Sequence, residues 1–178
     1  MHAASNSKIG RHVNMEQAAM DNLDLGLAYL NENQYLKAKS KLIMASKEAP
    51  KRPEPYSALG YYYDKTHHRD LAQKYYRKAL ALAPKRGIEL NNYGVFLCRH
   101  GQYKESLTYF EKATQDEAYV NVAAAYENAG LCAKALGDVP LAYKYFNASL
   151  LHDRNNKKVL VEYANLLIAQ QKHEDALR

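Results

Sequence analysis

The 178-residue chain is 47% apolar and 25% charged, with five prolines and a net charge of +6, a composition that excludes a disordered tail and a collagen-like fibre. Lys, Asp, Asn or Gln breaks every apolar run, so no stretch approaches the ~20 uninterrupted apolar residues that a membrane-crossing helix needs. The basic residues, among them Lys37, Lys39 and Lys41 and then Lys74, Arg77 and Lys78, are spread among polar and acidic neighbours without a consecutive block or an aromatic-interleaved RNA motif. They are expected to be solvated surface charges, with no nucleic acid as partner.

In chain order, residues 1–14 (MHAASNSKIGRHVN) show no helical period and are expected to be a disordered lead-in or expression remnant. Beyond them Gly26, Gly60, Gly94, Gly130 and finally Ala164 fall in register at spacings of 34, 34, 36 and 34. The first register carries Leu25, Tyr29, Ala38, Ala45 and Pro50; the second Tyr56, Leu59, Tyr63, Ala72, Tyr76, Ala79 and Pro84. The third carries Tyr93, Phe110 and Ala113, the fourth Tyr126, Ala142 and Phe146, and the fifth Leu160, Tyr163 and Leu167.

This period and residue pattern resemble the tetratricopeptide repeat. The resemblance implies an all-α, right-handed superhelical solenoid of about four and a half helical hairpins. Their expected bounds are 19–52, 53–86, 87–122, 123–156 and a partial 157–178, within a solenoid domain over 15–178. The two extra residues of the third repeat belong between its second helix and Ala123. A mid-helix Gly costs about 1 kcal/mol against Ala, so the four register glycines are expected where two helices of a hairpin approach closely, facing Ala38, Ala72 and Ala142. Tyr29, Tyr63, Tyr76, Phe110 and Phe146 are expected to fill the space between successive hairpins. Pro50 and Pro84 stop second helices, and Gly101 and Gly137 end first helices in left-handed geometry. Arg178 falls near the start of an expected second helix in the fifth repeat, so the domain is expected to run on past it, leaving an uncapped apolar face.

The two cysteines, Cys98 and Cys132, supply too few ligands for a zinc site, and no metal or cofactor is expected. Cys98 lies four residues after Gly94 and Cys132 two after Gly130, on neighbouring first helices at nearly one height. A disulfide between them is expected, with a pair of buried thiols as the alternative, the first suited to an oxidising compartment and the second to a reducing one. His67, His68, His100 and His173 fall in expected turns between paired helices. With no strand-to-helix elbow and no Gly-rich phosphate loop, the chain is expected not to be an enzyme.

In this architecture the first helix of each repeat lines the concave face. Its outward positions are expected to be Leu23, Leu27 and Leu30, then Ser57, Tyr61 and Asp64, then Asn91, Val95 and Cys98, then Glu127, Leu131 and Lys134. Leu27, Tyr61, Val95 and Leu131 share one equivalent position and give an apolar stripe edged by Asp64, Asn91, Arg99, Glu127 and Lys134. Co-chaperone repeats that grip a carboxylate terminus place Lys and Asn where this chain has Leu23, Leu27, Ser57 and Tyr61, so the expected ligand is an amphipathic helix or extended apolar segment.

The stretch LNNYGVFLC at Leu90 to Cys98, followed by Gly101, Tyr103, Phe110 and Ala113, and then ENAGLC at Glu127 to Cys132 with Gly137-Asp138, resembles the PilF/PilW type IV pilus biogenesis and stability family over about residues 16–178. That resemblance implies an outer-membrane lipoprotein facing the periplasm, held by an N-terminal lipidated Cys. The chain has no Cys before Cys98, which fits removal of signal and anchor, so contact with the membrane is expected only through that anchor. It further implies a role in bringing the secretin, the pilus exit pore, to the outer membrane and in its multimerisation. The alternative class is a cytosolic co-chaperone or regulatory adaptor bearing the same repeats.

Overall fold

In the computed structural model, backbone is described for residues 2–176 and side chains for residues 14–171. Helices account for about four fifths of it, and the described residues contain no strand. The chain divides into two units, Met1–Pro84 and Lys85–Arg178.

In the first unit α1 (His2–Asn31) packs against α2 (Tyr35–Glu48), and α3 (Glu54–Lys65) against α4 (Arg69–Leu82). Contacts of α3 with both α1 and α2 join the two hairpins. In the second unit α5 (Gly87–Arg99) pairs with α6 (Tyr103–Thr114), and α7 (Val122–Leu136) with α8 (Val139–His152). There α6 packs on α7 and α8 on α9 (Lys157–Ala176).

Why the chain turns where it does is local chemistry. Each first helix ends seven residues after its register glycine at a residue with positive φ: Asn33 (59°), His67 (61°), Gly101 (77°) and Gly137 (86°). Asn tolerates this region by bonding locally and Gly has no Cβ to clash. Pro50 and Pro84 stand just past α2 and α4, where their missing N–H and fixed φ forbid another turn. Asp138 caps α8 by accepting the Leu141 N–H at 3.0 Å.

The glycine register sets how close the paired helices come. A Cβ on Gly26 would lie 2.6 Å from Leu42 Cδ2, on Gly60 2.9 Å from the Tyr76 ring, on Gly94 2.7 Å from Phe110 and on Gly130 2.5 Å from Phe146. Tyr76, Phe110 and Phe146, expected between successive hairpins, thus first of all cover the glycine of their own hairpin. The row of small residues beside them also comes close: Ser106, which stands where Ala38, Ala72 and Ala142 stand in the other repeats, donates its hydroxyl to the Gly94 carbonyl at 2.7 Å. Leu30, Leu42 and Leu59 form the most buried part of the first unit, and Tyr93, Phe96, Phe110, Phe146 and Val159 that of the second.

The longer third repeat places its extra residues in the loop 115–121 between α6 and α7. Asp116 Oδ2 accepts the Gly87 N–H at 2.6 Å, and Tyr119 lies so close over Gly87 that a Cβ there would sit 2.6 Å from it. The loop therefore clasps the first turn of α5.

Two expectations are corrected. Residues 2–14, read as a disordered lead-in, belong to α1, consistent with Ala3, Ala4, Lys8 and Arg11 favouring helix and with no proline before Pro50. His173, expected in a turn, lies within α9. The fifth residue in the left-handed row would be Gln171, which has neither the short side chain of Asn nor the freedom of Gly, so the helix continues.

Candidate functional site

The first-helix positions expected to face outward divide by burial, unit by unit. In the first unit Leu23 is 7% exposed, Leu30 fully buried, and Ser57 and Asp64 each 6% exposed, so these four are core-facing rather than outward. The residues of one helix face that stand half-buried are Leu27 on α1 and Tyr61 on α3. Lys65, one turn after Tyr61, lies over its ring with Nζ 5.8 Å from the centroid and donates to the Leu30 carbonyl at 3.4 Å. That side chain thereby links α3 to α1 at the edge of the apolar pair.

In the second unit Val95 on α5 and Leu131 on α7 are the half-buried equivalents, each resting against the core around Phe110 and Phe146. The polar positions beside them are engaged in joining one first helix to the next. Asn91, buried, accepts from Asn128 Nδ2 at 3.0 Å, which ties α5 to α7. Glu127 takes Lys158 Nζ at 2.6 Å and Asn156 Nδ2 at 2.8 Å, and Lys134 pairs with Glu162 at 2.6 Å, which ties α7 to the start and middle of α9. Sequence periodicity placed these residues on the right helices. It did not show that Asn91 and Glu127 are spent on the scaffold, because their partners Asn128, Asn156 and Lys158 lie 29–37 residues away.

Cys98 and Cys132 are joined in the structure, with Cα atoms 5.8 Å apart, on the adjacent helices α5 and α7. Cys132 is fully buried and its Sγ lies 3.4 Å from the Ser106 hydroxyl. Among the described histidines, His68 Nδ1 meets Thr66 Oγ1 at 3.1 Å, and the His100 ring lies 4.7 Å from the Phe96 ring. Among the described residues no His, Cys, Asp and Glu cluster is suited to a metal ion, and no helix is long and apolar enough to cross a membrane.

Paired helices, a glycine in each first helix under a large residue of the second, and a half-buried apolar row on the first helices define a tetratricopeptide-repeat protein. Residues 53–86 match the family model described as tetratricopeptide repeat. The type IV pilus assembly protein PilF of Pseudomonas aeruginosa is 32% identical over 154 residues, 86% of this chain and 61% of PilF, so the chain spans less than two thirds of that relative. The solved structure from the functional characterisation of the same Pseudomonas PilF superposes with a TM-score of 0.82 at 31% identity, covering 89% of this chain and 72% of that one. The crystal structure of PilW, described as a widely conserved type IV pilus biogenesis factor, gives a TM-score of 0.80 at 29% identity over 90% of this chain and 73% of PilW. The chain belongs to this PilF/PilW family of type IV pilus biogenesis proteins.

Proposed function

We propose that the protein is a pilotin-like assembly factor that binds a segment of the type IV pilus secretin along its first-helix faces and promotes the secretin's placement and multimerisation in the outer membrane. The observation that carries the binding surface is a half-buried apolar pair within each unit, Leu27 and Tyr61 in the first and Val95 and Leu131 in the second. Such side chains are neither committed to the core nor fully solvated. A partner helix or extended apolar segment would complete their burial, each anchor contributing about 1 kcal/mol or more. Asn91 and Glu127, bonded to Asn128 and to Asn156 and Lys158, fix the helices that carry these side chains rather than adding affinity.

The proposed setting is the periplasmic face of the outer membrane, an oxidising compartment in which the Cys98–Cys132 bridge persists. The test is a pull-down of purified secretin with the native chain and with Leu27→Asp and Tyr61→Asp. Loss of capture by both variants, each with native helicity, supports the proposal. Capture unchanged by either substitution removes it.

A further inference from the structure

The linear sequence disperses its basic residues, and folding collects them. Of the four helices in the first unit, α2 and α4 each carry four basic residues and one acidic one, +3 apiece, whereas α1 and α3 each come to −1. The second helices of the first two repeats thus hold as much positive charge as the whole chain has in excess. Both helices lay a lysine on a tyrosine ring of α3. Lys39 on α2 lies over the Tyr63 ring with Nζ 5.8 Å from its centroid, and Lys78 on α4 lies 4.0 Å over the Tyr56 ring. Tyr75 of α4 stacks on Tyr63 at 5.3 Å. Burial and then neighbouring Tyr63 push the Tyr75 phenol above its ordinary value, while Lys78 and Lys39 both pull against that shift. Lysines from the two helices therefore bear on the same ring, and π-faces hold Lys39 and Lys78 in place without cancelling their charge.

Large apolar side chains stand out among these charges. Leu36 is 86% exposed on the first turn of α2, Met44 is 41% exposed two turns further on the same face, and Leu71 is 38% exposed on α4. They project from helix surfaces instead of lining a cleft. A protruding Leu and Met ringed by lysines suits a soft interface into which side chains dip while ammonium groups stay at the level of phosphates. An acidic polypeptide would be held by the basic groups alone and would leave the protruding Leu and Met in water.

We propose that the α2–α4 face is a docking surface for an anionic phospholipid bilayer, with Leu36 and Met44 entering the headgroup region and Lys37, Lys47, Lys74 and Lys78 facing lipid phosphates. The linear sequence gave no reason to expect a membrane contact made by the folded chain itself. The contact uses none of Leu27, Tyr61, Val95 and Leu131 and stands apart from the secretin reading.

The test is co-sedimentation of the full chain with vesicles of phosphatidylglycerol and phosphatidylcholine against vesicles of phosphatidylcholine alone. Binding to the anionic vesicles is expected to be at least tenfold stronger and to weaken with added salt. The exposed pair Lys47→Glu with Lys74→Glu should reduce it at least fivefold. Lys104→Glu with Lys112→Glu, the same charge change on α6 of the second unit, should leave it within twofold. Leu36→Ser should weaken binding at unchanged charge, and circular dichroism of each variant confirms that it is folded. Equal loss from both charge pairs would mean that net charge alone attracts the chain and would overturn the proposal. So would absence of binding to either vesicle, or capture of poly-glutamate by a chain that leaves anionic vesicles unbound.

Discussion

Tyr145 on α8 is 4% exposed and donates its phenol to Glu111 Oε1 of α6 at 2.5 Å, a bond from one hairpin of the second unit to the other. Burial first, and then the hydrogen bond to Glu111, push its ionisation well above the ordinary phenol value of 10.0. The folded state thus favours the protonated phenol, so its contribution to stability is fully present below pH 10 and drains away as pH rises above it. Melting temperature measured from pH 8 to 11.5 should fall at the alkaline end, and Tyr145→Phe should flatten that fall. An alkaline slope unchanged in the variant would assign the effect to other tyrosines. At the same scale, a Cβ on Gly60 would lie 2.9 Å from the Tyr76 ring, too close for a side chain to fit without a shift. Gly60→Leu should cost several kcal/mol, at or beyond the ~1–3 kcal/mol usual for overpacking. An unchanged thermal midpoint would contradict the close approach.

Between elements, the covalent tie of α5 to α7 closes a loop of 34 residues. Chain-entropy reasoning gives such a cross-link about 3–4 kcal/mol. Dithiothreitol should therefore lower the urea midpoint of the native chain and leave that of Cys98→Ser/Cys132→Ser unmoved. A thiol count on denatured, unreduced protein from an oxidising preparation should read zero. The Lys134–Glu162 pair, 41% and 24% exposed at its side chains, is worth far less, and Lys134→Ala should shift stability by under ~1 kcal/mol.

Helical pairing was legible because the 34-residue register repeats both the glycine of close approach and the turn residue seven places on. The continuation of α9 through His173 was not, since reading it required noticing that Gln171 stands where Asn33, His67, Gly101 and Gly137 turn the chain. The candidate face was legible in part. Leu27 and Tyr61 followed from period alone, but the burial of Ser57, Asp64 and Asn91 depends on packing that a single helix pattern does not contain. Charge was least legible, because α2 and α4 are some thirty residues apart in sequence and become neighbours only through α3.

Across the whole molecule, stability in a repeat protein is a sum of local terms and is not uniform. The bridge and the Tyr145–Glu111 bond both fall in Lys85–Arg178. Native-state hydrogen exchange should respond accordingly. Under reduction, amides of α5 and α7 should lose protection by a larger factor than those of α2 and α3, and equal loss in both units would show that they open as one. The clasp over α5 has a practical corollary for anyone splicing foreign residues into this scaffold. Asn33 and His67 sit at exposed bends in left-handed backbone, the first with a surface tie from the exposed Tyr35 hydroxyl, which donates to Asn33 Oδ1 at 3.0 Å, so an epitope or a fluorescent reporter inserted there does little more than lengthen a hinge. The bend at 115–121 looks equally open, with Val120 93% exposed at its tip, yet Asp116 and Tyr119 latch it to Gly87. A cargo inserted between those two would pull the latch from the first turn of α5, so the graft that looks safest on the surface is the one that unseats a helix.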